Sequence, residues 1–267
     1  MKKKSKATPL KLWNNFFLWC EARNLLRRTP AFIYDYDKEY PYFTLLEENY
    51  EIIRKECERL LQYKDRVPDL QDLSTQTKVP TNVIQWKTFV FKSGKFIEEN
   101  CSLCPETAKL LRRIPRVKQA LFSIIDPNQH VQPHKGYYQG FLRYHLGVII
   151  PDNNVNQKCW IRINSNPEDN QNFNLSPEHR NDFMHRASIY YWKNGSGIMF
   201  NDNYIHEAAN ETDEIRVVLY LDVVRKLPFW LDWLNNMLIS VAYNTKALKQ
   251  VAKNAVVKVP ELDDRKT

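Results

Sequence analysis

Residues 197–225 read GIMFNDNYIHEAANETDEIRVVLYLDVVR, and they decide the fold because two β-rich runs in them are separated by a short polar segment. Residues 130–151 read HVQPHKGYYQGFLRYHLGVIIP and follow the same plan. Each stretch places one histidine, His206 or His134, at the edge of a strand or turn, and a strand carrying an arginine follows. Two imidazoles and two cations on one sheet predict a metal beside a site for a small dianion.

Further short strands are predicted on both sides of these stretches, separated by turns that contain Pro, Asn and Gly. Many short strands linked in this way indicate a β-sandwich or barrel. The strand candidates are 86–94, 119–125, 141–150, 159–164, 187–192, 197–200 and 215–224.

Helices are predicted at both ends of the chain and between the strands. Residues 8–28 and 105–113 have helical character, and a helix is expected after Pro228, with Trp230, Trp233, Met237 and Val241 on one face. Segment 29–43 is predicted to be extended, and 165–185 to be a long polar loop. The clearest amphipathic helix is 45–63, whose apolar stripe is Leu46, Tyr50, Ile53, Cys57, Leu60 and Leu61.

The composition is that of a globular protein, with 43% hydrophobic and 26% charged residues among 267. The net charge of +8 lies at the ends: residues 1–30 hold eight Lys or Arg against Glu21 alone, and residues 225–267 hold eight against four acids. Since the middle of the chain carries no basic stripe, no nucleic acid partner is expected. The basic, aromatic ends indicate either a solvated tail or contact with an anionic membrane surface.

Neither a signal peptide nor an apolar run long enough to span a membrane is recognisable. The five cysteines are an odd number, which favours a reducing compartment. We therefore expect a cytoplasmic protein, or one peripheral on a membrane surface. Cys101 and Cys104 form a lone CxxC without two further ligands at a spacing that would suit zinc.

Several motifs resemble the aspartyl/asparaginyl β-hydroxylase family, over about residues 86 to 225. They are ENCSLCPET (99–107), PHKG (133–136), LRYHLG (142–147), FNDNYIHEAAN (200–210) and IRVVLYLDVVR (215–225). The resemblance implies a mainly β fold, with a double-stranded β-helix (jelly roll, cupin-like) core and flanking N- and C-terminal helices. It also implies Fe(II), 2-oxoglutarate as cosubstrate, and O₂. The expected division is a helical segment at 1–30, a dioxygenase domain at 31–226 and a helical extension at 227–267.

Non-haem iron sites usually combine two histidines with a carboxylate, but Gly136 stands where that carboxylate is expected after His134. The family holds its metal with two histidines alone, so the resemblance accounts for Gly136. It further implies that His134 and His206 bind iron and that Asp202 orients metal-bound water. The residues that resemble the 2-oxoglutarate site are Trp86, Ser123, Arg143, His145 and Arg216.

The resemblance implies hydroxylation of an unactivated carbon, with release of succinate and CO₂. We expect the β-carbon of Asp or Asn in a peptide or protein, and the alternative is a lipid A-type fatty acyl chain at the membrane surface. Three other interpretations stay open: a halogenase that binds halide beside Gly136, a catalytically inactive binding module, and a three-histidine metal site that includes His145.

Overall fold

In a computed structural model, which describes residues 9–73, 85–173 and 179–259, two antiparallel sheets form a double-stranded β-helix, or jelly roll. The major sheet has the strand order β1-β9-β6-β11-β4-β2-β3, and the minor sheet has the order β5-β10-β7-β8. The strands are β1 (Phe32–Ile33), β2 (Trp86–Ser93), β3 (Lys95–Phe96), β4 (Val117–Ile125), β5 (Gln129–His134), β6 (Phe141–Ile149), β7 (Cys159–Asn164), β8 (Ser188–Tyr191), β9 (Gly197–Phe200), β10 (Ile205–Asn210) and β11 (Arg216–Val224).

Helices cover the outside of the major sheet, and others lie towards the N- and C-terminal parts of the described chain. They are α1 (Pro9–Ala22), α2 (Thr44–Glu48), α3 (Tyr50–Leu61), α4 (Leu70–Leu73), α5 (Glu98–Leu103), α6 (Pro105–Arg112), α7 (Pro167–Asn172), α8 (Phe229–Tyr243) and α9 (Lys246–Asn254). None of them, within the described part of the chain, is both long and apolar enough to cross a bilayer.

The two faces of the major sheet belong to different cores. Tyr144 and Leu219 point outward into a cluster shared with the helices, and this cluster includes Ile53 of α3. Phe200 and Val218 point inward and pack against apolar side chains of the minor sheet. Because side chains alternate along a strand, the polar residues interspersed with this inner set also lie between the two sheets.

The predicted strands are present with small shifts at their ends, but β5 and β10 were not predicted as strands. Both are rich in polar residues, and β5 also contains Pro133. β5 is the edge strand of the minor sheet, where a proline removes no ladder hydrogen bond from a second neighbour. β5 pairs with β10, and β10 pairs with both β5 and β7. This pairing, more than strand propensity, accounts for the two strands.

Three expectations about segments were wrong in part. The helix predicted over 8–28 ends at Ala22, because Asn24 adopts a φ of 58° and reverses the chain. Segment 29–43 forms a strand only at β1, and two short 3₁₀ turns follow, at Tyr36–Lys38 and Pro41–Phe43. The polar loop 165–185 contains α7, whose first turn is capped by the Asn166 side chain.

The amphipathic helix predicted over 45–63 is interrupted at Asn49, which separates α2 from α3. Residues 1–8, 174–178 and 260–267, which belong to the predicted N-terminal segment, polar loop and C-terminal extension, lie outside the described residues.

The predicted C-terminal helix is present as α8, and the apolar face that the sequence indicates is on its solvent-exposed side. Trp230, Trp233, Met237 and Val241 do share a face, and that face is exposed. The opposite side of α8 packs on the protein through Leu231, which joins Phe17 and Cys20 of α1 in a small cluster. The helices α1 and α8 therefore meet on the same side of the fold.

Candidate active site

His134 and His206 lie opposite each other on neighbouring strands of the minor sheet. In the ladder between β5 and β10 they are direct cross-strand partners. Their ring centroids are 4.1 Å apart. Because His206 alternates with Glu207, which faces outward with Arg162, both imidazoles point between the two sheets.

The hydrogen bonds of the two imidazoles leave one nitrogen of each ring available. His134 Nδ1 lies 2.8 Å from the carbonyl oxygen of Gln132, and His206 Nδ1 lies 2.9 Å from that of Tyr204. Since a carbonyl only accepts, each Nδ1 carries the proton and each Nε2 keeps its lone pair. Burial lowers the pKa of His206 to about 3 and that of His134 well below its usual value, so both rings are neutral. Neutral imidazoles with free Nε2 atoms fit a divalent transition metal.

Asp202 occupies the space beside Gly136. A Cβ atom at position 136 would overlap the carboxylate of Asp202, and the Gly136 N–H donates to the Asp202 carbonyl oxygen at 2.7 Å. Burial raises the pKa of Asp202, and the neighbouring Arg143 opposes that rise. Gly136, two residues after His134, therefore leaves the space that the Asp202 carboxylate occupies.

Arg143 is held by two carboxylates. It contacts Asp202 at 2.9 Å and Asp222 at 2.9 Å, and its guanidinium lies over the Tyr220 ring at 4.3 Å from the centroid. Burial alone would lower the pKa of Arg143, but the two carboxylates outweigh it and raise the pKa. In this arrangement Arg143 positions Asp202, and its role towards 2-oxoglutarate stays a prediction.

Arg216, His145 and Trp192 form a buried group of unsatisfied polar side chains. Arg216 Nε and Nη1, both ring nitrogens of His145 and the indole N–H of Trp192 have no hydrogen-bond partner among the described residues. The guanidinium of Arg216 lies 4.4 Å from the Trp192 ring centroid, and the His145 ring stacks on Trp192 at 5.9 Å. Leaving such groups buried and unpaired is costly, so this cluster fits a ligand that brings acceptor oxygens and negative charge.

Ser123 and Trp86 extend this cluster along the sheet. The Trp86 indole donates to Ser123 Oγ at 3.0 Å, which leaves the serine hydroxyl proton available for an acceptor. Thr88 pairs with Ser123 across β2 and β4, and its buried hydroxyl lacks a partner in the described ranges. The inner face of the major sheet thus presents Arg216, a cation without a carboxylate partner among the described side chains, and several neutral donors, which suits a dicarboxylate such as 2-oxoglutarate.

The structure brings all eight predicted site residues to the space between the sheets, on six strands and the segment before β10. Across residues 9–73, 85–173 and 179–259, no group of three or more His, Cys, Asp or Glu side chains could hold a metal ion. The arrangement therefore favours two protein ligands over the three-histidine alternative. Cys101 and Cys104 are buried thiols, and burial raises the pKa of Cys101 to about 11.

The sequence interpretation missed Trp192, Thr88, Tyr220 and Asp222. Period-two alternation was a usable signal for the last two, because Arg216, Val218, Tyr220 and Asp222 must share one face of a strand. Trp192 follows Tyr190 at the same spacing, at the end of a predicted strand. Thr88 is a short polar residue within a strand and carries no signal of its own.

The family model described as aspartyl/asparaginyl β-hydroxylase matches residues 47–172 and 176–226 of this chain. The chain is also similar to the ornithine lipid ester-linked acyl 2-hydroxylase of Rhizobium tropici, with 34% identity over 241 residues that cover 88% of this chain and 76% of that protein. The human aspartyl/asparaginyl β-hydroxylase shares 27% identity over 187 residues, which are 67% of this chain and only 20% of the human protein.

Among solved structures, a Pseudomonas putida prolyl-4-hydroxylase aligns with a TM-score of 0.38 and 11% identity, over 66% of this chain and 87% of that one. This likeness is too distant to carry an argument about chemistry. The family match spans more than half of the chain and includes every residue of the two-histidine site. The chain therefore belongs to the aspartyl/asparaginyl β-hydroxylase family and is an Fe(II)- and 2-oxoglutarate-dependent dioxygenase.

Proposed function

We propose that this dioxygenase hydroxylates the fatty acyl chain of a membrane lipid, at the carbon next to an ester-linked carbonyl. The observation that carries the proposal is the extent of the similarity to the Rhizobium lipid hydroxylase, which reaches 88% of the chain and so includes residues outside the family model. The similarity to the human hydroxylase is lower and covers 67%.

The site residues support this choice of substrate. Phe141 follows the same alternation on β6 as Arg143 and His145, so it lies on the inner face at the far end of the site. The ring of Tyr138 meets Phe141 edge to face, with centroids 5.7 Å apart. Two aromatic rings beyond the charged part of the site are suited to an acyl chain.

The geometry of the site supports a proposed role for each of its residues. His134 and His206 would hold Fe(II) through Nε2, and Arg216, Ser123, His145 and Trp86 would bind the carboxylates of 2-oxoglutarate. When bound, Fe(II) with 2-oxoglutarate and O₂ supplies the oxidising chemistry that converts one C–H bond to C–OH, with succinate and CO₂ as coproducts. Asp202, fixed by Arg143, would accept a hydrogen bond beside the two imidazoles and orient that region.

The test is a product assay on the purified protein with Fe(II), 2-oxoglutarate and air. An ornithine lipid with an ester-linked acyl chain is expected to gain one oxygen atom at carbon 2, which fragmentation in the mass spectrometer locates, and succinate should form in equal amount. His206→Ala is the control and should form neither product. An unchanged lipid in the presence of active, succinate-forming enzyme would contradict the proposal.

A second candidate is hydroxylation of the β-carbon of Asp or Asn in a peptide, as the name of the human relative describes for that protein. The same assay with Asp- and Asn-containing peptides distinguishes the two. A gain of one oxygen in a peptide, with the lipid unchanged, would replace our proposal with this one.

A further inference from the structure

The helix α8 is apolar on both sides, although only one side packs on the protein. Leu231 and Ile239 are buried on the inner side. On the other side, Trp233 is 65% exposed, and Trp230, Met237 and Val241 are exposed with it. A contiguous patch of exposed large apolar side chains typically marks a contact with another protein or with a membrane. The outer side of α8 is therefore expected to have an apolar partner.

The neighbouring helix α1 adds exposed apolar residues and positive charge. Leu12, Leu18 and Trp19 are exposed on α1, and the guanidinium of Arg23 lies 5.4 Å from the centroid of the Trp19 ring. We refer to these residues, with Trp230, Trp233, Met237 and Val241 of α8, as the aromatic face. Trp and Tyr beside Lys and Arg are typical of protein segments that lie at the boundary of a bilayer.

The distribution of charge along the sequence favours an anionic partner for the aromatic face. Residues 1–30 carry a net charge of +7 and residues 225–267 one of +4, whereas the rest of the chain is slightly acidic. In a symmetric dimer formed through this face, Arg23 beside Trp19 and the positive charge concentrated in the sequence around α1 would be brought near their own copies, which opposes association. An anionic lipid surface attracts them instead, and it also accepts the indole rings.

We propose that the aromatic face docks the protein on an anionic lipid bilayer, with α8 and α1 lying in the interfacial region. This inference deepens the proposed function, on which its biological sense rests, because it would bring the site to a substrate that resides in the membrane. The docking itself is a separate physical property and is tested separately.

Helices α1 and α8 also make hydrogen bonds to the loop between His134 and β6. Asn14 of α1 donates to the Tyr137 carbonyl at 2.7 Å and accepts from the Gln139 N–H at 3.0 Å. Asn235 of α8 accepts from the Tyr138 hydroxyl at 2.6 Å and donates to the Gly140 carbonyl at 3.1 Å. This loop begins after His134 and ends at β6. The helices that carry the aromatic face thus hold the chain segment between His134 and β6.

The experiment is flotation of the full-length protein with vesicles of phosphatidylcholine alone, or of equal parts phosphatidylcholine and phosphatidylglycerol. Wild type is expected to float with the anionic vesicles, and less so at high salt. The double variant Trp230→Ser/Trp233→Ser is expected to have an affinity for the anionic vesicles that is lower by on the order of tenfold or more, because it lacks two indole rings that would enter the interface. Val155→Ser is the matched control, because Val155 is 79% exposed and follows the opposite end of β6.

Equal flotation of wild type and the double variant would overturn the proposal. It would also be overturned if neither protein binds vesicles and sedimentation shows a wild-type dimer that the double variant does not form.

Measurements of turnover distinguish a failure of the docking proposal from a failure of the proposed substrate. If both proposals hold, the double variant hydroxylates detergent-dispersed lipid like wild type but loses activity on vesicles. If lipid is not the substrate, vesicle binding still depends on the two tryptophans, although no lipid gains oxygen.

Discussion

At the scale of single residues, the least expected feature is a buried arginine that no carboxylate among the described residues accompanies. Burial lowers the pKa of Arg216 to about 10, so it remains charged at neutral pH. A buried charge without a partner costs stability, and proteins retain such groups where a ligand supplies the missing charge. Because Arg216 is charged and buried without a carboxylate partner in the described part of the chain, we interpret it as a ligand-binding residue and not as one half of a structural ion pair.

We predict that Arg216→Met stabilises the protein without cosubstrate and weakens cosubstrate binding. Removing the unpaired charge should raise the free energy of unfolding by about 1–4 kcal/mol, measured by denaturant titration of metal-free protein. The 2-oxoglutarate concentration that half-saturates the Fe(II) protein should rise sharply. Arg116→Met is the control, because Arg116 pairs with Asp232 and its loss should destabilise. A destabilised Arg216→Met protein would show that Arg216 has a structural partner.

Trp192 offers a second test at this scale. Trp192→Phe keeps a ring against Arg216 but removes the unpaired indole N–H. If this N–H donates to bound 2-oxoglutarate, its loss should weaken binding by about 0.5–1.5 kcal/mol, or about two- to tenfold. Anaerobic titration of the Fe(II) protein measures this change. Trp160→Phe is the control, because Trp160 lies on the outer face of the minor sheet beside Arg162.

The neutral state of His145 predicts a pH dependence. Burial and the nearby arginines lower its pKa well below 6.5, so the unfolded chain binds a proton there that the folded protein does not. Its contribution to stability is therefore lost as the pH falls below the unfolded value. Between about pH 7 and pH 5, wild type should lose more unfolding free energy than His145→Gln, since the variant lacks this group. Parallel losses in the two proteins would contradict the assignment.

At the scale of elements, α8 and the loop before β6 act as one unit through Asn235. Asn235→Ala would leave the half-buried Tyr138 hydroxyl without its acceptor, and the Gly140 carbonyl would keep only the Arg225 N–H of its two donors, at a cost of about 1–3 kcal/mol. Urea unfolding measures the loss. Asn236→Ala is the matched control, because Asn236 bonds only to Asp232 on its own helix. Similar stability of the two variants would mean that the helix does not hold the loop.

Elements also show what could be predicted from the sequence. The apolar strands of the major sheet, such as β4 and β11, are readable because burial on both sides selects continuous hydrophobic runs. β5 and β10 have a polar outer face and depend on their neighbours, so local sequence does not distinguish them. Periodicity grouped Trp230, Trp233, Met237 and Val241 correctly, but periodicity alone does not tell which face of a helix is buried. The positions of the site residues came from motif resemblance, and their neighbours Trp192 and Thr88 could be found only once the sheets were paired.

At the scale of the whole molecule, the site lies between two sheets that are otherwise joined by apolar packing. Ligands that bind only the folded state stabilise it by mass action, by about 2.7 kcal/mol at one hundred times the dissociation constant. We therefore predict that Fe(II) with 2-oxoglutarate, under anaerobic conditions, raises the thermal unfolding midpoint of wild type. His206→Ala should show a much smaller shift. An equal shift in both proteins would indicate that the metal binds elsewhere.

The overlap between position 136 and the Asp202 carboxylate also constrains how such a site can change in evolution. A single substitution that restores a carboxylate at 136 would collide with Asp202, and loss of Asp202 alone would leave Arg143 with one carboxylate partner fewer. Conversion between two-histidine and histidine–carboxylate sites thus requires both positions to change together. The effects of substitutions at positions 136 and 202 are therefore expected to depend on each other.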